Sequence, residues 1–129
     1  MSDLEISKLV EELRRLLPTA KVHQYSALFP AARTHECHVN ADQFASNNEG
    51  YRVVRGWLFF DFRSALPFGM APFVRFSAHS VVEGPDGERY DITPTLASKC
   101  YPFIEHPFGN EDFERLIDGR HLSNIDVEM

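Results

Sequence analysis

A cysteine, a histidine and an aspartate stand in the order Cys37, His79 and Asp91, in settings that suit nucleophilic chemistry. A thiolate at the start of a helix is stabilised by the unpaired backbone N–H groups there, which lower its pKa. A histidine can take up the thiol proton and return it to a leaving group. A carboxylate on the other ring nitrogen fixes the tautomer and stabilises the imidazolium. These residue types therefore indicate catalysis by a cysteine nucleophile.

Metal binding is the main chemical alternative, because Cys37 lies between two histidines in the stretch T-H-E-C-H-V-N. The cysteines and histidines that could supply zinc ligands are His35, Cys37, His38, His79, Cys100 and His106. However, H-x-C-H is not a standard zinc spacing, and no H-E-x-x-H motif is present. We therefore expect no metal and no cofactor, and we interpret His35 and His38 as exposed neighbours of the helix start.

The composition is that of a single domain with one hydrophobic core. The chain has 129 residues, of which 43% are hydrophobic and 25% charged. No apolar run approaches the roughly 20 residues needed to cross a bilayer, and the acidic N-terminus does not resemble a signal peptide. A net charge of −6 argues against nucleic acid as a partner. Two cysteines favour a reduced, cytoplasmic setting, although one disulfide between them stays possible.

Two helices are predicted before the first long strand. Apolar side chains at helical spacing predict an amphipathic helix over residues 2–17, which Pro18 ends. A second helix, of about 12 residues, is expected to follow Thr34, whose hydroxyl can cap the first backbone N–H groups. The run N-N-E-G at residues 47–50 ends that helix. This interpretation places Cys37 in its first turn.

Strands follow in succession along the rest of the chain. Residues rich in β-branched and aromatic side chains predict strands at 51–62, 73–82 and 88–93, with a loop at 66–72. Beyond Pro94 we predict an extended segment at 101–106, a short helix through Ile117 and a peripheral tail from Asp118. Strands that run in sequence after helices predict an α+β domain, with an antiparallel sheet packed against helices on one face.

The turn between the second and third strands decides whether His79 and Asp91 can meet. A two-residue turn would pair Val82 with Asp91 and send His79 to the opposite face of the sheet. A three-residue turn at 85–87 changes the parity and leaves His79 and Asp91 as diagonal neighbours on one face. Gly87 suits the left-handed position that such a turn requires. We therefore predict the three-residue turn.

Four motifs occur in a suggestive order. They are C-H-x-N-A at 37–41, Y-R-V-V-R-G-W at 51–57, A-H-S-V-V at 78–82 and D-G-x-x-Y-D-I-T-P at 86–94. This order resembles the papain-like and transglutaminase-like cysteine enzymes, especially small bacterial members of that superfamily. The resemblance covers roughly residues 34–94, the catalytic-type core of a single domain, 1–129, with an extension at 95–129. It implies a helix bearing the cysteine against an antiparallel sheet bearing the histidine and the aspartate.

The resemblance also implies roles. Cys37 would be the nucleophile, His79 the base and Asp91 the orienting acid of an enzyme that acts on amide bonds through a thioester. Hydrolysis, deamidation and acyl transfer all remain open, with a protein, a peptide or a small amide as substrate. A catalytically silent protein-binding domain of the same fold is the alternative. The oligomeric state is not predicted.

Two departures from the family pattern concern the surroundings of these residues. Ser80 and the valine after it stand where many relatives have Ala-Trp, so we expect Ser80 and Trp57 to shape the substrate pocket. The usual upstream oxyanion donor is not obvious. The backbone N–H of Cys37 could serve, and the supporting candidates are Gln24, Thr34, His35 and Asn40. For Asn40 we favour a structural hydrogen bond, because it lies one turn after Cys37.

Overall fold

The computed structural model describes residues 3–63, 72–94, 101–120 and 123–128. In these residues the chain forms three α-helices, one short 3-10 helix and a six-stranded sheet whose strands pair antiparallel, so the predicted α+β class is confirmed. The elements in chain order are α1 (Asp3–Leu16), the 3-10 helix (Leu17–Thr19), β1 (Lys21–Val22), α2 (Cys37–Asn47), β2 (Arg52–Asp61), β3 (Phe73–Glu83), β4 (Arg89–Tyr90), β5 (Pro102–Glu105), α3 (Asn110–Arg120) and β6 (Asn124–Glu128).

The sheet is built around the long β2–β3 hairpin. Its strand order is β1-β5-β2-β3-β4, and β6 also pairs with β3. Long runs of β-branched and aromatic side chains favour these two central strands. No helix in the described ranges combines the length and the apolar character needed to span a membrane.

All three α-helices pack on one face of the sheet, which we call the helix face. The main core lies there, and its buried members are Leu9, Leu13, Trp57, Val74, Phe76, Ile104, Phe113, Leu116 and Ile125. A second cluster joins α2 to the sheet through Ala41, Phe44, Val82 and Ile92. Because side chains alternate along a strand, Ser80 shares the helix face with Val82. His79 and Val81 point to the opposite face, where Val81 packs with Val54 and Phe103.

The hairpin between β3 and β4 has the predicted three-residue turn. Val82 pairs with Tyr90, and the Gly84 N–H donates to the Glu88 carbonyl at 2.8 Å. Gly87 has a φ of +82°, the left-handed conformation that the turn requires. The prediction that His79 and Asp91 share one face is therefore confirmed.

β3 has different partners along its outer edge. β6 pairs with residues 73–77, and β4 pairs with residues 82–83. Within the described residues, no strand pairs with residues 78–81 on that side, although the Ala78 N–H donates to the Ser123 carbonyl at 2.8 Å. His79 therefore lies at an opening in the ladder, where a side chain from outside the sheet can reach it.

The segment after β1 crosses the face opposite the helices. β1 pairs with β5 at one edge of the sheet, and Tyr25 forms an isolated parallel bridge with Asp91 at the other. His23 packs on the way against Phe103, with the ring centroids 5.6 Å apart. The Ser26 N–H donates to the Asp91 carbonyl at 2.8 Å. The crossing segment therefore holds the backbone of Asp91 just beyond the end of β4.

Several predicted boundaries need correction. The third strand is only two residues long, because beyond Tyr90 the chain pairs with the crossing segment instead of with β3. The peripheral tail was a wrong prediction: α3 continues to Arg120, and β6 pairs with β3 with Ile125 buried. Residues 66–71 of the predicted loop lie outside the described residues, and so do Ser2 and Cys100. Pro72, the last residue of that loop, is described.

The glycine opposite His79 provides a test of this packing. Gly56 pairs with His79 on one side and Glu105 on the other, and an added Cβ would meet the Ile104 carbonyl and lie 2.6 Å from the Phe103 ring. We expect Gly56→Ala to lower the free energy of unfolding by about 1–3 kcal/mol, as overpacking does. Gly119→Ala is the matched control, since nothing lies within 4 Å of its added Cβ. Denaturant unfolding of both variants is the measurement, and equal effects would contradict the packing described.

Candidate active site

The start of α2 places Cys37 at the sheet. The helix begins at Cys37 itself, with Glu36 at the N-cap position and no capping side chain. The predicted Thr34 cap is wrong, because Thr34 lies in a turn before the helix in which the Glu36 N–H donates to the Arg33 carbonyl at 3.3 Å. His35 in that turn is exposed and has a φ of 66°. Cys37 therefore owes its position to the turn and to packing, without a side-chain cap.

His79 and Asp91 form a hydrogen-bonded pair on the face opposite the helices. Nε2 of His79 lies 2.8 Å from Oδ2 of Asp91, and the His79 ring is buried. The other carboxylate oxygen of Asp91 accepts from the Thr93 N–H at 3.1 Å. With Nε2 engaged, Nδ1 is the ring nitrogen of His79 that remains for a second partner. The carboxylate fixes the orientation of the imidazole, as such pairs do in acid–base catalysis.

The Cys37 thiol meets two imidazoles. Burial alone would raise the pKa of Cys37, but hydrogen bonds to the rings of His38 and His79, together with the positive charge of the His79 imidazolium, lower it to about 5. Burial would likewise lower the pKa of His79, and the hydrogen bonds to Asp91 and Cys37 raise it to about 9. At neutral pH the two groups therefore form a thiolate–imidazolium pair, and Cys37 retains partial exposure.

Asn40 ties the start of α2 to its surroundings. Its buried amide donates to the Arg33 carbonyl at 2.8 Å and to the Thr93 hydroxyl at 3.0 Å, and its oxygen accepts from the Arg33 N–H at 3.0 Å. These bonds join the turn before Cys37 to the segment after Asp91. Asn40 is therefore a structural brace between the turn before Cys37 and the segment after Asp91.

His38 is the residue beside Cys37 whose contacts the interpretation of the sequence missed. It is half-buried, and its Nδ1 lies 2.6 Å from the Ser80 hydroxyl. Ser80 also accepts from Nη1 of Arg55 at 3.0 Å, across the β2–β3 pair. The interpretation of His38 as an exposed neighbour is therefore wrong. The available signal was Arg55, a charged residue inside the apolar strand V-V-R-G-W, which needs buried polar partners.

The other predicted site residues are Trp57, Ser80 and Gln24, and they differ in how they lie relative to Cys37, His79 and Asp91. Trp57 is completely buried and donates to Nδ1 of His106 at 3.1 Å, while Ser80 is completely buried beside Arg55. Neither side chain is therefore exposed to solvent. Gln24 lies beside Asp91, since the backbone carbonyl of Gln24 accepts from the Asp91 N–H at 3.4 Å.

Metal binding and the nearest large cavity can be compared with the position of the thiol. In the parts of the chain that the structure describes, no group of three His, Cys, Asp or Glu side chains is arranged to hold a metal ion. A cavity of about 620 Å³ lies between β1, β5 and the β3–β4 turn, but its lining includes neither Cys37 nor His79. Its lining includes Phe103, whose ring centroid is 6.3 Å from that of His79.

No family model, curated protein or solved structure matches this chain. The chemistry of the site is therefore inferred from the positions and the charges of its own side chains. Three of these side chains come together in the structure. Cys37 comes from a helix start, His79 from a central strand and Asp91 from the segment after a hairpin.

The Asn40 brace gives a stability prediction. Asn40→Ala removes three hydrogen bonds and leaves backbone groups of Arg33 without these partners. We expect the free energy of unfolding to fall by about 1–3 kcal/mol. Asn47→Ala, an exposed change in the same helix, is the matched control. Thermal unfolding monitored by circular dichroism measures both, and an unaffected Asn40→Ala protein would contradict the assigned role.

The charge coupling within the site gives a second prediction. Asp91→Asn removes the carboxylate that stabilises the His79 imidazolium, so the pKa of His79 should fall and that of Cys37 should rise above about 5. Ultraviolet absorbance of the thiolate against pH, with Cys37→Ser as the blank, measures the Cys37 titration.

The matched control for that titration is Asp126→Asn. The Asp126 carboxylate pairs with Arg75 near the surface of the sheet, at 2.7 Å. This variant should keep the wild-type thiolate titration. The coupling is disproved if Asp91→Asn titrates like wild type.

Proposed function

We propose that this protein is a thiol-dependent amide-bond enzyme of papain-like or transglutaminase-like type. It would act as an amidase, deamidase, peptidase or acyltransferase with Cys37 as nucleophile, His79 as acid–base and Asp91 as orienting acid. The observation that carries the proposal is the chain of contacts from the Cys37 thiol through the His79 ring to the Asp91 carboxylate. A thiolate beside an imidazolium at a partly exposed position is the arrangement that covalent catalysis by cysteine needs.

In the acylation half-reaction, the Cys37 thiolate attacks the amide carbonyl carbon. A carbon–sulfur bond forms as the carbonyl electron pair moves to oxygen. When the tetrahedral intermediate collapses, the carbon–nitrogen bond breaks, and the His79 imidazolium gives its proton to the departing amine. The products are a thioester on Cys37 and a neutral His79.

In the deacylation half-reaction, the neutral His79 imidazole takes a proton from the incoming nucleophile. Water gives hydrolysis or deamidation, whereas an amine gives acyl transfer. The carbon–sulfur bond then breaks, and the sulfur leaves as the thiolate that paired with imidazolium at the start. The Asp91 carboxylate stabilises the imidazolium in both halves of the cycle.

The helix start offers donors for the oxyanion. The first helical hydrogen bond of α2 runs from the Asn40 N–H to the Glu36 carbonyl at 2.8 Å, so the N–H groups of residues 37–39 have no acceptor within the helix. The Cys37 N–H is therefore the proposed oxyanion donor, and Gln24 beside Asp91 is the proposed side-chain support.

Turnover and its pH dependence test the proposal. A panel of glutamine peptides and small amides, followed by mass spectrometry with and without an added amine, separates hydrolysis, deamidation and transfer. Hydroxylamine should trap the thioester as a hydroxamate. Activity requires the thiolate and the imidazolium together, so it should rise as pH increases through about 5 and fall as pH increases through about 9. Cys37→Ala should abolish turnover, and His79→Ala should reduce it roughly 10²–10⁴-fold.

Alkylation provides a test that needs no substrate. In a Cys100→Ser background, Cys37 is the only cysteine. At pH 6, roughly 2.5 pH units below the ordinary cysteine pKa of ~8.5, it should react with iodoacetamide far faster than Cys100 does in a Cys37→Ser protein. Equal slow rates would instead favour the catalytically silent binding domain.

A further inference from the structure

A second histidine reaches the proposed nucleophile from the helix face. His38 contacts the Cys37 thiol, while its ring lies against Phe113 with centroids 5.6 Å apart. His79 approaches the same sulfur from β3, whose alternation sends His79 and Ser80 to opposite faces. The two imidazoles therefore belong to separate hydrogen-bond systems that meet only at the sulfur.

The hydrogen bonds of Ser80 bear on the tautomer of the His38 ring. The Arg55 guanidinium carries only donors, so the Ser80 oxygen must accept from it at 3.0 Å. We assign the Ser80 hydroxyl proton to the bond with Nδ1 of His38, 2.6 Å away, because no other acceptor for it is found among the described residues. A ring nitrogen that accepts carries no proton, so the remaining proton of a neutral imidazole sits on Nε2. Nε2–H is the group left to face the sulfur.

Arg55 is itself held firmly in place. Its buried guanidinium pairs with Asp42 of α2 and with Glu114 of α3, each at 2.8 Å. Because arginine stays charged, the direction of the bond to Ser80 does not reverse as pH changes. The charged groups around Cys37 are thus the His79–Asp91 pair on one side and Arg55 with its two carboxylates on the other.

We propose that His38 is a second catalytic histidine, a neutral imidazole whose Nε2–H donates a hydrogen bond to the Cys37 sulfur independently of His79. The inference rests on the proposed function, in which that sulfur is the nucleophile. His79 moves the proton to and from the reacting groups, whereas His38 keeps its proton throughout. Its hydrogen bond strengthens as the sulfur becomes anionic, so it stabilises both the resting thiolate and the thiolate that leaves when the thioester breaks.

Two substitutions at His38 separate a donor role from mere packing. His38→Leu removes the donor, and we expect the apparent pKa of Cys37 to rise by about one to two pH units, because hydrogen bonds to charged groups are among the strongest. His38→Gln keeps one acceptor and one donor in the same side chain. It should restore most of the wild-type thiolate titration. Thiolate absorbance against pH is the readout, in the Cys100→Ser background.

Three further variants test the independence of the two histidines and the route through Ser80. His79→Ala alone should leave a Cys37 pKa below that of the double variant His79→Ala/His38→Leu. Ser80→Ala should raise the Cys37 pKa by less than His38→Leu does, because it frees the His38 tautomer without removing the ring. Ser46→Ala, an exposed serine in α2, is the matched control and should titrate like wild type. Circular dichroism confirms that each variant is folded.

The outcomes distinguish the two proposals. If wild-type Cys37 has a low pKa and folded His38→Leu titrates identically, the role of His38 is disproved while the proposed function stands. If wild-type Cys37 titrates as an ordinary thiol, both proposals fall. If His38→Leu and His38→Gln raise the Cys37 pKa equally, the effect comes from packing, and the donor role is also disproved.

Discussion

The register of the β3–β4 hairpin is the constraint on which the rest of the site depends. A strand presents alternate residues to alternate faces, so one residue more or less in the turn would move Asp91 away from His79. The three-residue turn, with Gly87 at positive φ, sets the parity, and the bond from Nε2 of His79 to Asp91 at 2.8 Å follows from it. Since β4 itself has only two residues, the crossing segment through Tyr25 supplies the pairing that keeps Asp91 in place.

A buried polar network orients α2, the helix that begins at Cys37, against the sheet. Arg55 lies in the sheet but pairs with carboxylates from α2 and α3, and it also donates to Ser80 of β3. Burying a guanidinium is costly unless it is fully paired, and removing one partner of a buried pair typically costs about 3–5 kcal/mol. Asp42 and Glu114 are half-exposed, so solvent screens their attraction and the cost here is smaller. The network therefore orients α2 against the sheet more than it stabilises the fold.

Local patterns were enough to predict most of the fold and the central pair of the site. Helical spacing located α1 and α2, and turn chemistry predicted the parity that brings His79 to Asp91. The errors concern residues whose partners are remote in sequence. β6 depends on pairing with the opposite end of β3, and the role of His38 depends on Ser80, 42 residues away. The Thr34 cap failed because a turn at His35 separates it from the helix.

The two imidazoles at Cys37 differ in what lies behind them, and that difference separates their chemistry. Behind His79 stands the Asp91 carboxylate, which favours an imidazolium and raises the pKa of His79 to about 9 against the opposing effect of burial. Behind His38 stands the Ser80 hydroxyl, 2.6 Å from Nδ1, which accepts from the Arg55 guanidinium on its other side. Environments that push two like groups apart are how one site obtains distinct acid–base roles. Under the proposed function, His79 would carry the proton while His38 would keep its hydrogen bond to the sulfur.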